Sequence, residues 1–125
     1  MRIALLTPSS APTSQAVDRS ADYRYLLKVR FDWDDRKAWA NRAKHGISFE
    51  EAITAFDDPF ALVAVDTRHS TPSEERTWLI GASDVGVLVV VYTTREAGDV
   101  LRIISARRAS RRERKRYEEA RGIPI

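Results

Sequence analysis

The sequence predicts an α+β domain, and three observations carry that reading. Between Phe60 and Arg107 the apolar residues recur with a period near two, and two of the breaks in the pattern are short and contain glycine. Ahead of that stretch, Asp34 and Ser48 stand where helix caps belong, each followed by a helical pattern. Behind it, Ser110-Arg111-Arg112-Glu113 has capping-box spacing and opens a closing helix. The predicted order is a short N-terminal strand, two helices, a four-stranded antiparallel meander sheet and a C-terminal helix. No internal repeat is visible.

Residues 1–27 differ from the rest. Thr7-Pro8-Ser9-Ser10-Ala11-Pro12-Thr13-Ser14 is turn and coil chemistry, so this stretch is expected to be a flexible extension, with room for a short ordered piece near Tyr23 to Leu27. Ile3-Ala4-Leu5-Leu6 is too short for the apolar part of a secretory signal. Val29 is an alternative start position. The domain proper is taken as 28–125.

A strand is expected over Lys28–Trp33, where Val29, Phe31 and Trp33 alternate with Lys28, Arg30 and Asp32. Asp34 caps the first helix, and Asp35 suits the positive end of its dipole. Trp39 and Ala43 share a face of this helix, joined by Ala40, and Gly46 ends it in a left-handed conformation. Ser48-Phe49-Glu50-Glu51 is a capping box for a second helix over Phe49–Phe56, with Phe49, Ala52, Ile53 and Phe56 toward the core. Asp57-Asp58-Pro59 stops it. Strands follow at Phe60–Val65, Arg76–Ala82, Val87–Thr94 and Val100–Arg107, with a polar loop at Asp66–Ser73. Val87–Tyr92 is apolar on both faces and should be a covered central strand. The closing helix should end at Gly122, with Pro124 beyond.

Composition sets the outer limits. The chain has 125 residues and a mass of 14.2 kDa, which fits one domain. Hydrophobic residues at 43% and charged residues at 31% suit a soluble, packed chain. The longest apolar run is six residues, Val87 to Tyr92, against roughly 18 for a membrane span, so the expected location is the cytoplasm. With no cysteine there is no disulfide scaffold, thiolate zinc site or cysteine nucleophile. The two histidines, His45 and His69, are not paired at helical spacing, and neither a metal site nor a cofactor is expected.

The charge is segregated. Arg102–Arg121 holds nine bases and three acids, a net +6, whereas the other residues hold twelve bases and fifteen acids, a net −3. Such a chain offers one surface to a polyanion, although a solvated charged helix would have the same composition. The strongest local feature is the junction of last strand and last helix. Arg107 and Arg108 leave the strand in different directions beside the helix start, whose free N–H groups also favour an anion. Simple alternation groups Ile104 and Ala106 with Arg102 and Arg108, and Ile103 and Ser105 with Arg107. Two guanidiniums there would form a phosphate clamp. The structural alternative pairs them with Asp57, Asp58, Glu74 or Glu75.

Glu74-Glu75-Arg76 is expected at the rim where the last strand ends, so Glu75 would be a base or would hold Arg107 in place. His45 closes a helix, where it either caps carbonyls or serves catalysis. His69, in the polar loop, has weaker support. Arg111, Arg112, Arg114 and Lys115, with Arg102, are candidate nucleic-acid contacts. The acids from Asp66 to Glu75 are spaced somewhat as in restriction-type metal nucleases, but Thr77 stands where their lysine is needed, and no phosphate loop or serine elbow is present. Metal-free RNA cleavage fits what is left. The ribose 2′-hydroxyl supplies the nucleophile, so the protein needs only a base, an acid and cations for the charged phosphorane. The alternative is a non-catalytic module that binds nucleic acid or a partner through the basic C-terminal helix.

Several fixed-spacing blocks between Lys28 and Glu119 resemble the BrnT toxins. They are Phe31-Asp32-Trp33-Asp34 with Lys37, Asn41, Lys44-His45-Gly46, Ser48 to Ala52, Phe56-Asp57-Asp58-Pro59, Glu74-Glu75-Arg76, Ile80-Gly81, Val89 to Thr93, and Arg102 to Ala109 with Arg111, Glu113 and Arg114. The resemblance implies a RelE-like fold and a ribonuclease toxin of a bacterial type II toxin–antitoxin pair that inhibits translation. It also implies neutralisation by a BrnA-type antitoxin, whose ribbon-helix-helix domain binds operator DNA. Arg107 and Arg108 are the positions carried over first, then Glu75, Arg76 and His45.

Overall fold

The computed structural model describes residues 2–5, by backbone alone, and 29–122. The strands are β1 (Arg2–Leu5), β2 (Arg30–Trp33), β3 (Leu62–Val65), β4 (Thr77–Ser83), β5 (Gly86–Arg95) and β6 (Val100–Arg108). The helices are α1 (Asp35–His45), α2 (Phe49–Ile53), continued by a 3-10 turn at Thr54–Asp57, and α3 (Arg111–Ala120). The five strands β2-β6-β5-β4-β3 form one mixed sheet, and β1 adds to it antiparallel beside β2. Strands β3 to β6 are the expected antiparallel meander. Strand β2 runs parallel to β6, which the two intervening helices and the meander make room for.

The caps form as expected. Asp34 accepts from the Arg36 and Lys37 amides, and Gly46 closes α1 at φ 73°. Both capping boxes, Ser48 with Glu51 and Ser110 with Glu113, are complete. Helices α1 and α2 cover one face of the sheet. Between them and the strands lies a core of Phe31, Trp33, Ile47, Phe49, Leu88, Val90, Ile103 and Ala106. Phe31, Phe56 and Tyr92 meet edge-to-face with centroids 4.9 and 5.1 Å apart. Helix α3 crosses the other face and buries Tyr117 against Ile80 and Val89. The central strand β5 is thus covered on both sides, as its apolar run predicts.

Four details of the fold differ from the sequence pattern or go beyond it. The face shared by Trp39, Ala40 and Ala43 is outward, and Trp39 is 76% exposed. A polar residue, Asn41, takes the buried position. Strand β2 ends early, leaving the outer edge of β6 without a neighbour, and the Asn41 amide fills in for it. Its Nδ2 donates to the Ala106 and Ile47 carbonyls at 2.8 and 3.0 Å, and its Oδ1 accepts from the Ala106 N–H at 3.0 Å.

Second, helix α2 tightens to a 3-10 turn before Phe56. That turn lies so close to β4 that a Cβ on Gly81 would come within 2.9 Å of the Ala55 carbonyl oxygen. Third, Phe60 stays outside β3, because the Asp58 carboxylate takes its N–H at 2.9 Å. Fourth, Arg2–Leu5 is strand rather than coil. The rest of the expected extension, including the piece near Tyr23 to Leu27, lies outside the described residues. Among the described residues no helix is long and apolar enough to cross a membrane.

Candidate active site

Helix α3 covers only one end of its sheet face. The remainder is the floor of an open cavity of about 470 Å³. Trp78 and Ile80 from β4, Val89 and Val91 from β5, and Ile104 and Ser105 from β6 line it. Its walls are the loop after β3, with Asp66, His69 and Arg76, and the first turns of α3, with Glu113 and Arg116; Arg107 enters from β6. An apolar floor with an aromatic ring, ringed by three guanidiniums and a histidine, matches a nucleotide's base and phosphate.

Strand β6 contains a bulge at the cavity floor. Val91 pairs with Ser105, whereas Tyr92 pairs with Ile103, so Ile104 is the extra residue. The bulge shifts the alternation. Ile103 and Ala106 both enter the helix-side core, with Leu101 packed against it, while Arg102, Ser105 and Arg107 fall on the opposite face. Simple alternation therefore groups these side chains wrongly.

Arg107 is fixed from the helix. Its Nη1 and Nη2 donate to the two Glu113 carboxylate oxygens at 2.8 and 2.9 Å, and the same carboxylate accepts the Ser110 N–H at 2.7 Å. Those bonds, with Arg107 foremost, hold the Glu113 carboxyl down at about 2. Arg107 in turn is held above its usual value by Glu113.

The opposite wall is organised by hydrogen bonds across the loop's base. The Asp66 N–H donates to the Arg76 carbonyl at 2.7 Å, and Ser70 Oγ joins the Asp66 carbonyl to the Arg76 N–H at 2.7 and 2.8 Å. Arg76 Nε donates to Glu74 at 3.2 Å. His69 Nδ1 lies 2.8 Å from the Asp66 carboxylate. That hydrogen bond is the main cause holding the Asp66 carboxyl below its ordinary value.

Arg107 and Arg108 do not converge. Arg108 emerges on the helix side and donates to the Val85 carbonyl at 2.6 Å. The expected two-arginine clamp is replaced by Arg107, Arg76 and Arg116 around one cavity. Nor do Glu75 and Arg107 share a rim. Strands β4 and β6 flank β5 and run the same way, so the start of one and the end of the other lie at opposite ends of the sheet. Glu75 is exposed and outside the cavity lining, and the carboxylate on Arg107 is Glu113. None of Asp57, Asp58, Glu74 and Glu75 takes that place.

His45 lies on a separate shallow groove with Lys37, Asn41 and Lys44, which meets the cavity only at Ile104 and Ser105. Arg102 is 18% exposed, with Asp32 at 3.5 Å. Arg111, Arg112, Arg114 and Lys115 are exposed on α3, three of them along an outer groove with Glu118. Sequence reasoning missed Arg116, Asp66, Ser105 and Trp78. Arg116 was within reach, since it follows Glu113 by one helical turn. Among the described residues no three acidic or histidine side chains gather as a metal site.

The cavity thus brings three arginines over an apolar floor. Residues 33–113 match the family model described as a ribonuclease toxin, BrnT, of the type II toxin–antitoxin system. That span exceeds half of the chain, and the chain belongs to the BrnT family. No curated protein matches it.

Proposed function

We propose that the chain is a metal-independent endoribonuclease, RelE-like in fold, that cleaves RNA in the cavity between the 66–76 loop and α3 and so inhibits translation. The observation that carries this reading is the convergence of Arg76, Arg107 and Arg116 over a floor containing Trp78. A base stacks on that floor while the adjacent phosphate meets the guanidiniums, whose charge counters that of the phosphorane. Arg107 has donors left for it: Glu113 and the Arg108 carbonyl take three of its roughly five N–H groups. The lining acids are already engaged, Asp66 by His69 and Glu113 by Arg107, which supports chemistry without a metal. Arg111, Arg112, Arg114 and Lys115 then track the RNA backbone beyond the cavity.

A type II toxin has an antitoxin, and we assign a BrnA-type partner with a ribbon-helix-helix domain that brings the complex to operator DNA. The setting is the bacterial cytoplasm. Arg108, Glu75 and His45, away from the cavity, rank behind Arg76 and Arg107 as catalytic candidates. The test is RNA cleavage and growth arrest by the Arg76→Ala/Arg107→Ala double variant beside the native chain, with and without chelator. The expected result is loss of cleavage by at least about 10²-fold and no effect of chelator. Equal cleavage by both chains would refute the site, and abolition by chelator would refute metal independence. Salt-sensitive RNA binding with no cleavage by the native chain would favour the non-catalytic reading instead.

A further inference from the structure

Cleavage through the ribose 2′-hydroxyl needs a group with a free lone pair to take its proton. Taking the cavity lining in turn, Arg76, Arg107 and Arg116 carry guanidiniums, which donate hydrogen bonds and have no acceptor. Glu113 is a carboxylate locked to Arg107, and Asp66 is a carboxylate locked to His69. Ser105 needs a base before it can accept a proton. His69 is left, with its side chain 63% exposed at the cavity wall.

The ring is oriented for work on its free side. A carboxylate only accepts hydrogen bonds, so the 2.8 Å contact with Asp66 puts the proton of the neutral ring on Nδ1. Nε2 then carries the lone pair. The Asp66 backbone is pinned by Arg76 and Ser70, and the His69 N–H returns to Asp66 at 3.3 Å, so the pair is preorganised before any substrate arrives.

We propose, on the basis of the ribonuclease reading, that His69 is the general base of the cavity and Asp66 its positioning residue. Nε2 takes the proton from the ribose 2′-hydroxyl. The 2′-oxygen forms a bond to phosphorus as the bond from phosphorus to the 5′-oxygen breaks. The products are a 2′,3′-cyclic phosphate and a 5′-hydroxyl, whose oxygen takes its proton from water. The imidazolium returns its proton to solvent. The charged groups that face His69 are Asp66 on its own loop, Arg76 at the start of β4, Arg107 on β6, and Glu113 and Arg116 on α3.

The experiment measures cleavage of a short RNA against pH for the native chain, His69→Gln and Asp66→Asn. It also uses a nucleoside 3′-(p-nitrophenyl phosphate), whose leaving group needs no acid. His69 is on an exposed loop, so His69→Gln should fold, and circular dichroism checks this. The native rate should fall on the acid side, as the base becomes protonated. His69→Gln should lose about 10²–10⁴-fold in rate, keep RNA binding, lose the acid limb, and stay slow on the activated substrate. Asp66→Asn should lose less and shift the acid limb to lower pH. Native-like rate and pH profile in His69→Gln overturn the proposal while leaving the ribonuclease reading intact. Rescue by the activated substrate overturns it too, since His69 would then be the acid. If the native chain cleaves no RNA, the reading beneath the proposal fails with it.

Discussion

Individual residues show how closely structure and chemistry share parts. Glu113 caps α3 through Ser110 and forks onto Arg107, so a single carboxylate ties the helix start to the cavity. Its folded-state pKa, about 2, lies below the ordinary 4.5. The stability it contributes is therefore fully present above pH 4.5 and is lost as pH falls toward 2. Screening at the partly exposed Arg107 limits that contribution to about 1–2 kcal/mol. Glu113→Gln should lower stability by that amount at pH 7 and flatten the stability profile between about pH 4.5 and 2. Urea titrations across that range check both. Asn41 is the second such residue. Asn41→Ala leaves the Ala106 N–H and C=O unpaired in a buried setting, and should cost roughly 2–4 kcal/mol in the same assay.

Elements were legible to different degrees. The three caps, the helix stop at Gly46 and the meander could be read because each depends on local chemistry: a side-chain oxygen beside free amides, a positive φ, an alternation over a short turn. The β6 bulge could not be read. Arg102-Ile103-Ile104-Ser105-Ala106-Arg107 alternates plausibly in either register, and only pairing with β5 selects Ile104 as the extra residue. Misplacing that one residue separates Arg102 from Arg107 and hides the floor of the cavity. The outward Trp39 and inward Asn41 escaped for a related reason: what decides them is the unpaired edge of β6 at Ala106, far along the chain. The tight approach of the 3-10 turn to β4 is also a tertiary matter. Gly81→Ala should destabilise the fold by about 1–3 kcal/mol, since backbone rather than a flexible side chain stands in the way. Thermal denaturation of the variant measures this.

At the scale of the whole molecule, the two sheet faces divide the work. Helices α1 and α2 with the main core stabilise one face. The other is left partly open beside α3, with Arg107, Glu113 and Arg116 of the C-terminal segment at the opening. Charge segregation was visible in the sequence, but its sorting was not: only Glu113 and Arg116 of α3 turn to the cavity, while Arg111, Arg114 and Lys115 face outward. Outer cations should add affinity without chemistry. Arg111→Ala/Arg114→Ala/Lys115→Ala should lower the salt dependence of RNA binding by about 0.7 in slope per cation removed, with little change in the cleavage rate at saturating RNA. The central claim, that RNA lies in the cavity on the α3 side of the sheet, is tested most directly by mapping backbone NMR shifts on adding a short 2′-O-methyl RNA that binds without being cut. The account predicts the largest shifts at His69, Arg76, Trp78, Ser105, Arg107 and Arg116. Shifts confined to the outer face of α3, with those residues unmoved, would contradict it.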